Sequence, residues 1–257
     1  MITEVTRKTF TIRESGRSTD FITPSFGHGC LYDCSYCYMK RHKPDGLTIA
    51  KNIGDILTEV NNHAYFTPVD KPNQTHPEYT TYDISCNEDF ALHAKYHNWE
   101  SIFEFFRTHP VAMASFATKY VNNNLLTYNP EGKVRIRFSL MPQKMSDIHE
   151  PNTSKIHDRI NAINRFVEAG YDVHVNFSPV IVYDGWLDDY AQLFKDLDDI
   201  VLYKDKVLAE VIFLTHNFKK HKVNLQRHPN AEVTLWTPDI QEIKTSQYGG
   251  ENLRYKL

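Results

Sequence analysis

Only four cysteines and ten glycines occur in 257 residues, and neither sign of charge is in excess. No apolar run approaches the ~18 residues that a membrane crossing needs, which excludes a spanning helix. With 29 basic against 32 acidic residues and 13 nearly neutral histidines, the net charge of −3 excludes a protein that coats nucleic acid by charge alone. A local basic groove stays open, because a field depends on distribution as well as sum. The N-terminal stretch MITEVTRKTFTIRESGRS lacks the apolar core of a signal peptide. The expectation is therefore a cytoplasmic protein with reduced thiols, where clustered cysteines mean metal or catalysis rather than disulfides. No linker, low-complexity tract or long charge run divides the sequence, and 41% hydrophobic content suffices for a substantial core. A single domain over 1–257 is expected, with 1–20 as a lead-in and 240–257 as a hairpin-like segment. It is expected to be a monomer.

What the chain does contain is a rhythm of short apolar runs alternating with amphipathic stretches. Strands are predicted at 80–85, 111–118, 134–140, 171–182 and 207–215, and helices at 46–60, 98–108, 153–170 and 185–201. The clearest helix places Ile156, Ile160, Ile163 and Val167 at helical spacing, with Thr153 or Ser154 as cap and Gly170 as stop. Such alternation implies βα units on a parallel sheet. Counting the segment before Cys30 gives about six units, fewer than the eight of a closed TIM barrel, so a partial (β/α)6 TIM-type barrel is expected. Chemistry on such sheets collects at the C-terminal strand ends, and Cys30, Cys86, Lys119 and Ser139 all fall there.

Three of the four cysteines lie in CLYDCSYC, at Cys30, Cys34 and Cys37. Incidental buried cysteines are one reading of this cluster. Structural zinc is a second, but it takes four ligands, so Cys86, His28 or His42 would have to complete the set. The third is an iron–sulfur cubane in which three irons take thiolates and the fourth is left open for a small molecule.

The spacing C-x₃-C-x₂-C, with an aromatic before the last cysteine, resembles the signature of the radical S-adenosylmethionine superfamily. Further stretches resemble the spore photoproduct lyase family, which repairs a UV-made thymine dimer in DNA. These are CSYCYMK, RIRFSLMPQ, EPNTSKIHDRINAINRFVEAGYDV, FSPVIVYDGWLDDYAQLF, FLTHNF and, loosely, YGGENLRYKL. The likeness covers roughly residues 21–257 and lacks most of the N-terminal extension of the longer members.

The resemblance implies a barrel of the radical S-adenosylmethionine class, carrying a [4Fe–4S] cluster on Cys30, Cys34 and Cys37. S-adenosyl-L-methionine would sit on the open iron, and an electron donor such as flavodoxin or ferredoxin would supply the cluster. It implies that Cys86, in SCNEDF with Asp89 in the acidic position, donates a hydrogen atom to the product radical. Tyr36 or Tyr38 would then reduce the resulting thiyl. Lys119, Ser139, Tyr38 and Glu88 fall at implied cofactor contacts, although Glu88 stands where those lyases tend to carry a small hydroxyl residue. His216 reads as a structural cap.

The implied partner is UV-damaged DNA. Lys40, Arg41, Lys43, Lys219, Lys220, Lys222, Arg227, Lys244 and Arg254 are candidates for its phosphates. Paired glycines suit a C-terminal hairpin that wedges into the duplex, with Tyr248 and Tyr255 stacking on bases.

Overall fold

Apolar residues at alternate positions of RIRFS send Ile136 and Phe138 to one face of a strand and Arg135, Arg137 and Ser139 to the other. The computed structural model describes residues 1–15, 20–39, 43, 46–66, 76–230, 235–236, 238–245 and 249–256. In it this strand, β8 (Val134–Ser139), lies inside a seven-stranded sheet. Six strands run parallel: β3 (Phe21–Ile22), β6 (Thr80–Asp83), β7 (Ala112–Thr118), β8, β9 (Asp172–Val180) and β10 (Leu208–Phe213). The short β2 (Arg13–Glu14) closes one edge antiparallel to β3, and β10 is the other edge. Six parallel strands in sequential order are the partial barrel that the sequence predicts.

Helices α1 (Ile53–Phe66), α3 (Trp99–Thr108), α5 (Ile156–Glu168) and α6 (Trp186–Ile200) pack on the convex face, with the short α2 (Phe90–His93) before α3. Between them and the sheet lies an aromatic layer in which Phe103 stacks on both Phe90 and Phe116. Phe138 meets Phe166 edge to face at 5.3 Å. Aromatic pairs of this kind add stabilisation beyond their buried area. The β7–β8 connection carries only a 3₁₀ turn at Asn123–Thr127. The parallel crossover there is made without a helix.

Three predicted elements differ from the structure. The helix predicted at 46–60 begins only at Ile53, because Leu47–Ala50 forms β5, which pairs parallel with β1 (Ile2–Val5) and antiparallel with β4 (Gly27–Gly29). The strand predicted at 207–215 breaks at Leu214, whose N–H turns to Val180 O at 2.9 Å. Thr215–Asn217 then starts β11 in a separate sheet with β13 (Glu251–Tyr255) and β12 (Gln241–Thr245). Helix α5 takes neither Thr153 nor Ser154 as its cap. Ser154 Oγ accepts from Val121 N–H, and Gln143, at the start of α4 (Gln143–His149), receives the Ile156 N–H on its side-chain oxygen. Gly170 does end that segment, at φ +87°, where a side chain would be strained.

Candidate active site

Residues 30–38, which follow β4, have almost no regular secondary structure, so their backbone groups need partners elsewhere. The Cys37 N–H donates to Cys34 O at 3.0 Å, closing a turn. Leu31 N–H donates to His93 Nε2 at 3.3 Å from the end of α2. Ser35 donates its N–H to His149 O at 2.9 Å, and its hydroxyl pairs with His149 Nδ1 at 2.7 Å at the end of α4. His216 in β11 donates from Nε2 to Tyr36 O at 2.7 Å, so this histidine supports the loop itself. Three histidines from separate elements therefore fix the cysteine loop.

Cys34 is buried, while Cys30 and Cys37 are half-buried, and the three thiols act on one another electrostatically. Burial, with Asp89 next, pushes the Cys30 thiol up to about 12. Burial, with Glu150 next, drives Cys34 well above its ordinary 9.0, and Lys119 opposes both shifts. Among the described residues, no three His, Cys, Asp or Glu side chains are grouped to hold a single ion. His42, one candidate fourth zinc ligand, lies outside the described residues. The donor set is one that a [4Fe–4S] cluster accepts: three soft thiols on one loop, each for its own iron, and a cation beside them.

Cys86 follows β6 and is half-buried. Tyr38 reaches across from the cysteine loop and donates its hydroxyl to Cys86 O at 2.6 Å. Burial, with Cys86 next and then Cys37, pushes the Tyr38 hydroxyl above its ordinary value. Burial, then the neighbouring Asp83 charge, pushes the Cys86 thiol up to about 11. Tyr36 points elsewhere. Its hydroxyl donates to Glu150 Oε1 in a short hydrogen bond, and Lys119 Nζ lies 5.8 Å from its ring centre.

Glu150 is the residue that sequence reasoning left without a role. Its side chain is 1% exposed and joins Tyr36, Lys119 Nζ at 3.9 Å and Arg159 Nη2 at 2.9 Å. Arg159, wholly buried, also donates to Ser139 O, Ser154 O and Thr153 Oγ1 at 2.7, 2.9 and 2.7 Å. The signal was present in the EPNTS turn quoted above, but only the fold brings it under Lys119. Burial alone pulls the Lys119 ammonium down, yet Glu150 and Cys34 outweigh it and hold the group charged. Asp89 joins the Cys86 loop to the end of β7 through Thr118 Oγ1 at 2.6 Å and Lys119 N–H at 2.8 Å. Ser139 ends β8 with its carbonyl on Arg159. Deeper on the same sheet face Arg137 bridges Asp83 at 3.2 Å and Asp20 at 3.5 Å. Glu88 is buried against two histidines, His93 and His97.

Three of the basic candidates lie near carboxylates, and one hairpin candidate is buried. Arg227 sits 3.8 Å from Asp33, while Lys244 and Arg254 both face Glu242, at 2.7 and 3.4 Å. Tyr255 is 4% exposed and donates its hydroxyl to Leu235 O at 3.3 Å, because β13 turns that face inward. It is a core residue and cannot stack on bases. Lys40, Arg41 and Tyr248 lie outside the described residues.

Known proteins align with this arrangement along nearly the whole chain. The profile of the family described as spore photoproduct lyase matches residues 2–257. Spore photoproduct lyase of Bacillus subtilis (strain 168) is 28% identical over 252 residues, covering 95% of this chain and 70% of that protein. The corresponding protein of Geobacillus sp. (strain Y412MC61) is 27% identical with the same coverage. Among solved structures, a spore photoproduct lyase complexed with dinucleoside spore photoproduct superimposes with a TM-score of 0.86 at 24% identity, covering 99% of this chain and 74% of that one. That superposition establishes the fold as the same partial barrel. The family match over residues 2–257 carries the assignment: this chain belongs to the spore photoproduct lyase family.

Proposed function

We propose that the chain is a radical S-adenosylmethionine lyase that reverses the thymine–thymine spore photoproduct in DNA. Family membership supports the reaction class, and a relative's complex with dinucleoside spore photoproduct supports the lesion. The observation that carries the reading onto this chain is Cys86, an S–H group beside Tyr38 on a loop joined to the cysteine loop. When bound, a [4Fe–4S] cluster with S-adenosyl-L-methionine supplies one-electron cleavage of the sulfonium and so a 5′-deoxyadenosyl radical.

Cys30, Cys34 and Cys37 would hold that cluster. Lys119, kept charged by Glu150, and Ser139 would bind the cofactor's polar groups. The lesion would lose a hydrogen atom to the 5′-deoxyadenosyl radical, giving 5′-deoxyadenosine; its crosslinking C–C bond would then break, and Cys86 would give its hydrogen atom to the thymine carbon radical left behind. Tyr38 would then return a hydrogen atom to the thiyl, and the tyrosyl radical so formed would take one back from 5′-deoxyadenosine. An S–H donor must be protonated to act, and burial keeps Cys86 so. A flavodoxin or ferredoxin would deliver the initiating electron.

The test is anaerobic turnover of an oligonucleotide carrying the lesion, with dithionite and S-adenosyl-L-methionine, followed by mass spectrometry. Two restored thymines, lost or diverted to a side product in Cys86→Ala, support both assignments. Release of 5′-deoxyadenosine with the lesion untouched would refute the substrate and leave the radical machinery standing.

A further inference from the structure

Glu88 has the surroundings of a structural anchor. Its side chain is 1% exposed, and its carboxylate lies against Gly27 of β4. A Cβ added at Gly27 would stand 2.3 Å from the carboxyl carbon and from both oxygens, so this approach requires glycine. Oε2 accepts from His93 Nδ1 at 3.0 Å and from His97 Nε2 at 2.9 Å. The proton positions follow from the third partner. Leu31 N–H donates to His93 Nε2, so that nitrogen carries no proton and Nδ1–H is the one directed at Glu88.

Those bonds join two loops that chemistry must keep in register. Leu31 follows Cys30 and Gly27 precedes it, while Glu88 lies two residues beyond Cys86. A further bond crosses between them, from Gly29 N–H to Asn87 O at 3.0 Å. Asn87 is in turn tied to Ser25 Oγ at 2.5 Å. Among the described residues, Glu88 Oε1 and His97 Nδ1 are buried without a hydrogen-bond partner, a desolvation cost that an apolar filler at position 88 would avoid.

We propose that Glu88 is a positioning residue: through His93 and against Gly27 it clasps the cysteine loop to the Cys86 loop. It fixes the peptide after Cys30, and with it the aim of that thiol. This differs from the cofactor contact expected for Glu88 from sequence. The inference rests on Cys30 as a cluster ligand and is independent of the identity of the lesion.

The experiment uses anaerobically reconstituted protein without DNA and follows two signals: the electron paramagnetic resonance spectrum of the dithionite-reduced cluster, and iron release to a chelator. Glu88→Gln keeps an oxygen acceptor for His93 and should leave both signals near those of the unaltered chain. Glu88→Ala frees the His93 ring; iron release should rise about tenfold and the spectrum broaden, as loss of one buried hydrogen-bond acceptor implies. Gly27→Ala displaces the carboxylate by contact alone, deletes no polar group, and should reproduce that signature, which keeps the test sound should Glu88→Ala fail to fold. Unchanged signals in Glu88→Ala or in Gly27→Ala would overturn the clasp. So would a Glu88→Gln variant as impaired as Glu88→Ala, which would place the effect in the charge. Weakened S-adenosyl-L-methionine binding with unaltered cluster signals would return Glu88 to a cofactor contact and also overturn it.

Discussion

Cys86 should resist ionisation, and the consequence is measurable. At pH 8 a thiol with the ordinary value of 9.0 is about one-tenth thiolate, whereas one at about 11 is about one-thousandth thiolate. Alkylation proceeds through the thiolate, so its population alone slows the reaction about a hundredfold. A more basic thiolate is intrinsically more nucleophilic, with a Brønsted slope of about 0.4–0.5, and this returns about six- to tenfold. The net expectation is iodoacetamide modification about ten- to fifteenfold slower than at an ordinary cysteine, before any slowing from burial. The assay is peptide mass spectrometry on anaerobic, cluster-loaded protein, in which the ligating thiols are protected, from pH 7.5 to 11.5. The rate should climb with a midpoint near 11, and hydrogen-donor competence should fall over the same range, because a thiolate has no hydrogen atom to give. Asp83→Asn should lower the midpoint without bringing it to 9.0, since burial is the larger cause and the Asp83 charge the second. A midpoint at or below 9.0 in the unaltered chain would refute the argument that this site protects an S–H bond.

Arg159→Ala leaves Glu150 buried without its closest cation, and urea unfolding should report a loss of about 3–5 kcal/mol. Tyr38→Phe removes the hydroxyl beside Cys86 and should raise the 5′-deoxyadenosine released per repaired lesion. Tyr36→Phe, whose hydroxyl faces Glu150, should raise it less, and equal effects would contradict the separation of the two tyrosines. Lys119→Met should weaken S-adenosyl-L-methionine binding by about ten- to a hundredfold, the worth of one charge-assisted hydrogen bond. Equilibrium dialysis or calorimetry under anaerobic conditions would measure it.

Much of this was legible in the chain, for definite reasons. The inner parallel strands β7, β8 and β9 show as short runs because both of their faces are largely enclosed, and helix α5 shows because its apolar stripe is regular. The cysteine loop shows because its chemistry needs three thiols close in sequence. Leu47–Ala50 was read as helix because its strand partners are Ile2–Val5 and Gly27–Gly29, and nothing local reports a long-range pairing. The contacts of Glu88 are equally hidden from local sequence: Gly27 lies far upstream, and Leu31 reaches it only through His93. Tyr255 looked like a stacking residue until the hairpin's register turned it inward. Glu150 was visible as a letter in a turn, but its meaning depends on Tyr36, Lys119 and Arg159 arriving from three other segments.

The loop that carries the three cysteines has little regular structure of its own and is held by His93, His216 and the adjacent pair His149 and Glu150, from three places in the fold. Its shape is therefore a running report on tertiary structure. A variant that loosens any one of those anchors, however far from the reacting atoms, would show first as a paler protein. The brown tint of the loaded enzyme can then serve as a plate-scale screen for intact folding, read before any substrate is synthesised.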